Sequence, residues 1–152
     1  QVSVSAGAAA ATGMNVAKLL AAQELLLAAE VDLDSERINV AISAAQHTDL
    51  LNEIQVVSAD FTAKPVLDQG LLRSWGLFDF IHSERLAVNG SSQRRCPVWV
   101  KSGMYLGIWS DIQTSISQRN DLQGEPWQAY CLMNVGATRL EESRVVEIPC
   151  AE

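Results

Sequence analysis

The sequence predicts an α+β fold, and three features carry that expectation. Residues 14–30 place their apolar side chains at helical spacing. A strand followed by a capped short helix comes next, over residues 37–53. From residue 96 onward aromatic and β-branched residues dominate, interrupted by turn formers, so the chain is expected to end in β structure. The 152 residues are 48% hydrophobic, enough for one compact unit with a core, since a chain of this length buries roughly 68–70% of its unfolded surface.

In the first stretch Val16, Leu19, Leu20, Leu26 and Leu27 recur at helical spacing, and neither Pro nor Gly interrupts residues 14–30. One continuous helix of more than three turns is expected there. Its polar face is thin, because Ala21, Ala22, Ala28 and Ala29 stand where a solvated helix usually carries charge. The helix is therefore expected to pack on more than one side, with Leu19, Leu20, Leu26 and Leu27 all buried. An acidic connector over residues 31–36 leads to Arg37-Ile38-Asn39-Val40-Ala41-Ile42, a strand with Ile38, Val40 and Ile42 on one side. Ser43 can cap a short helix over residues 44–53, with Leu50 and Leu51 facing inward. Residues 54–64 fit neither period.

Gly70 and Gly76 punctuate a segment in which Leu71-Leu72 and Leu77-Phe78-Asp79-Phe80-Ile81 read as two short strands with a tight corner between them. Asn89-Gly90-Ser91-Ser92-Gln93-Arg94-Arg95 reads as an exposed, turn-rich loop. Residues 96–101, 104–116 and 127–138 read as strands, the last two separated by turn formers over residues 121–126. After the turn Glu141-Glu142-Ser143, Val145-Val146-Glu147-Ile148 supplies a final strand. No internal repeat is present.

The composition weighs against several functions. Eighteen acidic and eleven basic side chains give a net charge of −7, which repels nucleic-acid phosphates. No apolar run reaches the roughly 20 residues that cross a bilayer, so the chain is expected to be soluble and cytosolic, with no membrane partner. Cys96, Cys131 and Cys150 are odd in number and widely spaced, which predicts unpaired, mostly buried thiols. His47 and His82 have no metal-ligand spacing. Neither a GxSxG elbow nor a GxxxxGK[ST] or GxGxxG phosphate loop occurs. Asp32, Asp34 and Glu36 lack the glycine and distal glutamate of a calcium loop and read as a solvated connector. Asn89-Gly90-Ser91 matches a glycosylation acceptor only formally, and Arg94-Arg95 reads first as solvated surface. No catalytic, metal or cofactor residues are assigned. Because the chain starts at Gln1, a processed chain or a fragment is expected.

The order of these segments resembles the major capsid proteins of tailed bacteriophages with the Hong Kong 97-like fold, over about residues 14–150. The helix ending in Glu30-Val31-Asp32-Leu33, with Ser35-Glu36-Arg37-Ile38-Asn39-Val40 and the Leu50-Leu51 helix after it, looks like that family's spine helix leading into its central domain. Gly70-Leu71-Leu72 followed by Trp75-Gly76-Leu77-Phe78-Asp79-Phe80-Ile81-His82-Ser83 is similar to its glycine-aromatic step into an apical-domain strand. Gly136-Ala137-Thr138-Arg139-Leu140 before Arg144-Val145-Val146-Glu147-Ile148 looks like its closing peripheral strands. The N-terminal arm and extended loop that usually precede the spine helix have no counterpart here, so this resembles the later portion of a capsid subunit.

That resemblance implies a spine helix with mixed and antiparallel sheets in two lobes: a peripheral lobe from residues 1–38 and 135–152, and an apical lobe from residues 39–134. It implies a non-enzymatic structural subunit of an icosahedral shell, forming pentamers and hexamers that enclose the genome. Partners would be copies of itself and other capsid or decoration proteins, without sequence-specific nucleic-acid binding. The location would be the virion, after assembly in the host cytoplasm. Subunit contacts are expected near the helix and the turn-rich loop, at Lys18, Glu24, Asn89, Arg94 and Arg95. Without the arm and loop, these residues alone are expected to fall short of a closed shell. Two alternatives remain: an encapsulin-type compartment shell, which shares the fold, and a small enzyme or ligand-binding domain with an unrecognised site.

Overall fold

The computed structural model describes residues 1–57, 70–121 and 123–151. The first helix, α1 (Val16–Ala28), starts at Asn15, whose side-chain oxygen accepts the Lys18 N–H at 2.8 Å. This satisfies one of the N–H groups that a helix start leaves unpaired. At the other end the Glu30 N–H reaches the Leu27 carbonyl at 2.9 Å and the Val31 N–H the Leu26 carbonyl at 3.2 Å. Such a double closure needs a left-handed residue, and Glu30 takes that role with φ 55°. Val16, Leu19, Ala22 and Leu26 enter the core. Leu20 and Leu27, expected to be buried, are each 52% exposed. They lie one residue beyond Leu19 and Leu26, about 100° around the helix, and none of the described residues buries that side.

The core is a five-stranded sheet in the order Ser74–Trp75, Phe78–His82, Ile38–Ile42, Gln93–Val100 and Val145–Ala151. In chain order, β1 (Ile38–Ile42) is followed by α2 (Ala44–Leu51), the single turn α3 (Ile54–Val57), β2 (Ser74–Trp75), β3 (Phe78–His82), β4 (Gln93–Val100), β5 (Met104–Gln118), β6 (Trp127–Arg139) and β7 (Val145–Ala151). β1 runs parallel to β3 and antiparallel to β4. A parallel pair needs a crossover, and the segment containing α2 and α3 makes it. The register aligns apolar residues in rows: Ile38 beside Phe78 and Val100, Val40 beside Phe80 and Val98, Val98 beside Val146, Cys96 beside Ile148. All of these side chains are buried. The N-terminal segment lies along β7, with the Val2 N–H on the Glu147 carbonyl and the Ala151 N–H on the Thr12 carbonyl, both at 2.9 Å.

Ser43 begins α2, and its N–H donates to the Gln46 side-chain oxygen at 3.2 Å. Leu50 is fully buried and Leu51 partly so. Several boundaries differ from the sequence expectation. The strand expected at Leu71-Leu72 lies at Ser74–Trp75 instead, because the positive φ of Gly76, 58°, sets the corner and the hairpin closes outward from it. The loop expected over residues 89–95 ends at Ser92, and Gln93, Arg94 and Arg95 open β4, paired along β7. Of the unassigned stretch 54–64, residues 54–57 form α3 and the rest lies outside the described residues.

Residues expected in two lobes share this one core. Strands β1 and β4, from within residues 39–134 and its border at Ile38, are joined to β7, from residues 135–152, while α1 packs against β7. What stands apart is a separate two-stranded sheet, β5 with β6.

Candidate functional site

Strands β5 and β6 form a hairpin of 15 and 13 residues paired from Met104–Arg139 to Gln118–Trp127. The sequence sets this up simply: two long runs of aromatic, β-branched and small residues, then a reversal over residues 119–126 where Glu125 and Gly124 adopt positive φ. Arg119 pairs with Asp121 there, and the Gln118 amide donates to the Glu125 carbonyl at 3.2 Å. A register shift between Ile108 and Gln113 bulges β5 midway along the arm.

Among the described residues, almost nothing covers this arm. Every residue of β6 is exposed, Trp109 is 92% exposed and Ile116 74%. Tyr105, Leu106, Ile108, Ile112, Trp127, Tyr130 and Val135 also face solvent. Among the residues of β5 and β6, Asp111 is the sole acid and Arg139 the sole base. An isolated two-stranded hairpin is marginally stable in water, and a long, flat, uncharged edge invites pairing with another chain. Opposite each other, Gly107 and Gly136 leave an open groove of about 500 Å³ between Tyr105 and Trp109.

The base of the arm, by contrast, is tied to the core. Glu36, ahead of β1, accepts the Ser102 N–H at 3.1 Å and its hydroxyl at 2.8 Å. The Arg144 guanidinium donates to the same hydroxyl at 2.7 Å and pairs with Glu141. The Leu140 N–H meets the Gly103 carbonyl at 3.0 Å. Gly103 is required by proximity, since a Cβ there would stand 2.7 Å from the Arg144 Cβ. The two strands thus leave the sheet through a braced neck, which aims the apolar arm in one direction.

The five residues expected at subunit contacts are dispersed. Lys18 is fully buried, and its Nζ donates to the Thr12 carbonyl at 2.6 Å and the Pro149 carbonyl at 2.9 Å. Burial depresses its pKa, against the raising influence of Cys150, Cys96 and Asp49. Glu24 is exposed on the outer side of α1, near the uncovered Leu20 and Leu27. Asn89 closes its own turn, its side-chain oxygen accepting the Ser91 N–H at 2.9 Å and the Gln93 N–H at 3.0 Å. Arg94 donates to the Leu86 carbonyl at 3.1 Å, and Arg95 pairs with Glu147. The hairpin is the surface that sequence reasoning missed, although its strands and turn were both legible. The overlooked signal was the near absence of charge along both strands.

The remaining polar candidates have structural roles. The Asp32 carboxylate accepts the Ser35 hydroxyl at 2.8 Å, which, as the first cause, holds its pKa below the usual range. Cys96, Cys131 and Cys150 form no disulfide. Cys96 and Cys150 are buried, with the Cys96 pKa pushed up first by a hydrogen bond with Cys150 and then by burial, while Cys131 is exposed on β6.

Comparison with known proteins fits this arrangement. The phage capsid protein family matches residues 1–152. The capsid structure of the cyanophage P-SCSP1u superimposes with a TM-score of 0.69 at 15% identity, covering 99% of this chain and 50% of that one. A structure from Mycobacterium phage Che8 gives 0.66 at 14% identity, covering 95% and 54%. This chain therefore spans about half the length of these structures, and at such identities the likeness concerns the fold. No curated relative matches. The mixed α+β architecture is thus that of a phage capsid structure, and the chain belongs to the phage capsid protein family.

Proposed function

We propose that this chain is a structural part of a phage icosahedral capsid that joins copies of itself into pentamers and hexamers enclosing the genome. The observation that carries the proposal is the β5–β6 arm: long, apolar, nearly free of charge, and held away from the core by a braced neck. Exposed apolar area of this extent on a soluble protein marks a surface that other protein covers. A closed shell repeats one such contact many times, so each can be individually modest. The uncovered Leu20–Glu24–Leu27 side of α1 is a second contact surface in this reading. Its location is the virion, after assembly in the host cytoplasm. It performs no reaction, and its partners are copies of itself together with other capsid or decoration proteins. Family membership favours the phage shell over an encapsulin compartment.

The test is an exchange of apolar for charged side chains at a directly opposed pair. Ile108→Glu with Val135→Lys keeps an attractive cross-strand pair, so the hairpin itself is retained. By sedimentation velocity the original chain associates with rising concentration, and the double variant remains monomeric with an unchanged melting temperature. Equal association by the variant would remove the arm from the interface.

A further inference from the structure

Two histidines far apart in sequence converge on one backbone unit. His47, on α2, and His82, at the end of β3, meet edge to face with ring centroids 4.9 Å apart. The Leu72 N–H donates to His47 Nε2 at 3.1 Å, while His82 Nε2 lies 3.2 Å from the Leu72 carbonyl oxygen. A carbonyl can only accept, so His82 Nε2 carries a proton, and the accepting Nε2 of His47 does not. In this state both polar groups of Leu72, whose side chain is buried, are satisfied. Protonation of His47 leaves it with donors only. The Leu72 N–H then loses its partner, and a cation forms beside the second imidazole.

Three carboxylates on the neighbouring elements are bound elsewhere. Glu84 accepts the Ala44 N–H at 2.6 Å at the start of α2, and Asp49 accepts the Met14 N–H at 3.2 Å near its end. Asp79 of β3 pairs with Arg37, and Arg73 follows Leu72 in the chain. The charged group that acts on His47 is His82.

We propose that His47 and His82 form an acid-released clamp on Leu72, holding the residues that lead into β2 against α2 near neutral pH and freeing them when His47 takes up a proton. The segment it controls shields the outer edge of β3, where the Phe80 N–H is bound by the Arg73 carbonyl at 2.8 Å. Release therefore loosens one margin of the sheet, where strand edges are most open to pairing. Burial and then the His82 charge hold the His47 pKa below the ordinary histidine value. The clamp's contribution is accordingly complete above about pH 6.5 and is lost as pH falls through the lower folded value. This inference stands on the pair's geometry and is independent of the capsid reading.

Amide hydrogen exchange on this chain, expressed as protection factors from about pH 7.5 to about pH 5, tests it. Protection at Leu72 and Phe80 should fall about tenfold, the effect of losing one buried hydrogen bond, while Val98, between β1 and β7, keeps its own. His47→Gln, whose side-chain oxygen accepts but does not titrate, should abolish the step. His82→Gln, which still offers a donor to the carbonyl, should move the midpoint to higher pH. Unchanged protection in the original chain, the same step in His47→Gln, or an unmoved midpoint in His82→Gln would each overturn the clamp.

Discussion

Lys18 occupies a position on α1 that carries an apolar side chain in most amphipathic helices. Its stem lies in the core and its ammonium group is bound by the Thr12 and Pro149 carbonyls, so it ties the N-terminal segment and β7 to the helix. Lys18→Met would keep the volume and leave those carbonyls short of a donor, which costs about 1–3 kcal/mol; chemical denaturation reads that loss directly. The leucines of α1 separate the same way. Leu19→Ala should destabilise by about 2–5 kcal/mol, as for a fully buried leucine, whereas Leu20→Ala should stay within about 0.5 kcal/mol, as for an open surface site. Periodicity made the helix legible from sequence, but with apolar residues nearly all round it could not say which third faced the sheet. Glu30 was illegible in another way, because its left-handed conformation follows from how the chain leaves the helix. Glu30→Gly should raise stability by about 1 kcal/mol.

Among the elements, β1, β3, β4, β5, β6 and β7 were recognisable because β-branched and aromatic runs end at turn formers. Their partners were not recognisable. Nothing local in Ile38–Ile42 says that it lies parallel to Phe78–His82, since that pairing depends on a crossover through α2. Nor does composition alone say that β5 and β6 leave the sheet, because a central strand and an uncovered arm can carry the same apolar residues. What distinguishes them is the neck, built from Glu36, Ser102, Gly103 and Arg144, which lie far apart in the chain. Gly103→Val should force the neck open against Arg144, costing about 1–3 kcal/mol as overpacking does. Thermal melting would detect the cost, and Gly136→Val, which meets nothing within 4 Å, serves as the control that should not.

For the molecule as a whole, the charge sets the terms of assembly. Each copy carries −7, so copies repel at long range, while the arm is a stretch where contact brings little charge together. Association should therefore strengthen as salt rises from low to physiological concentration, because screening shortens the repulsion; light scattering across a salt series would show the trend. Family and fold class were readable from the order of elements, and the family match over residues 1–152 bears that reading out. The contacts expected at Asn89, Arg94 and Arg95 followed from the turn-rich loop there, and within one copy these side chains also bond to their own chain. The most direct measurement of the central claim is electron cryomicroscopy of a phage particle that contains this chain. The account predicts a closed shell in which the β5–β6 arm lies against a neighbouring copy, with Ile108, Trp109 and Val135 withdrawn from solvent. An arm standing free in solvent, or a shell that does not repeat this chain, would contradict it.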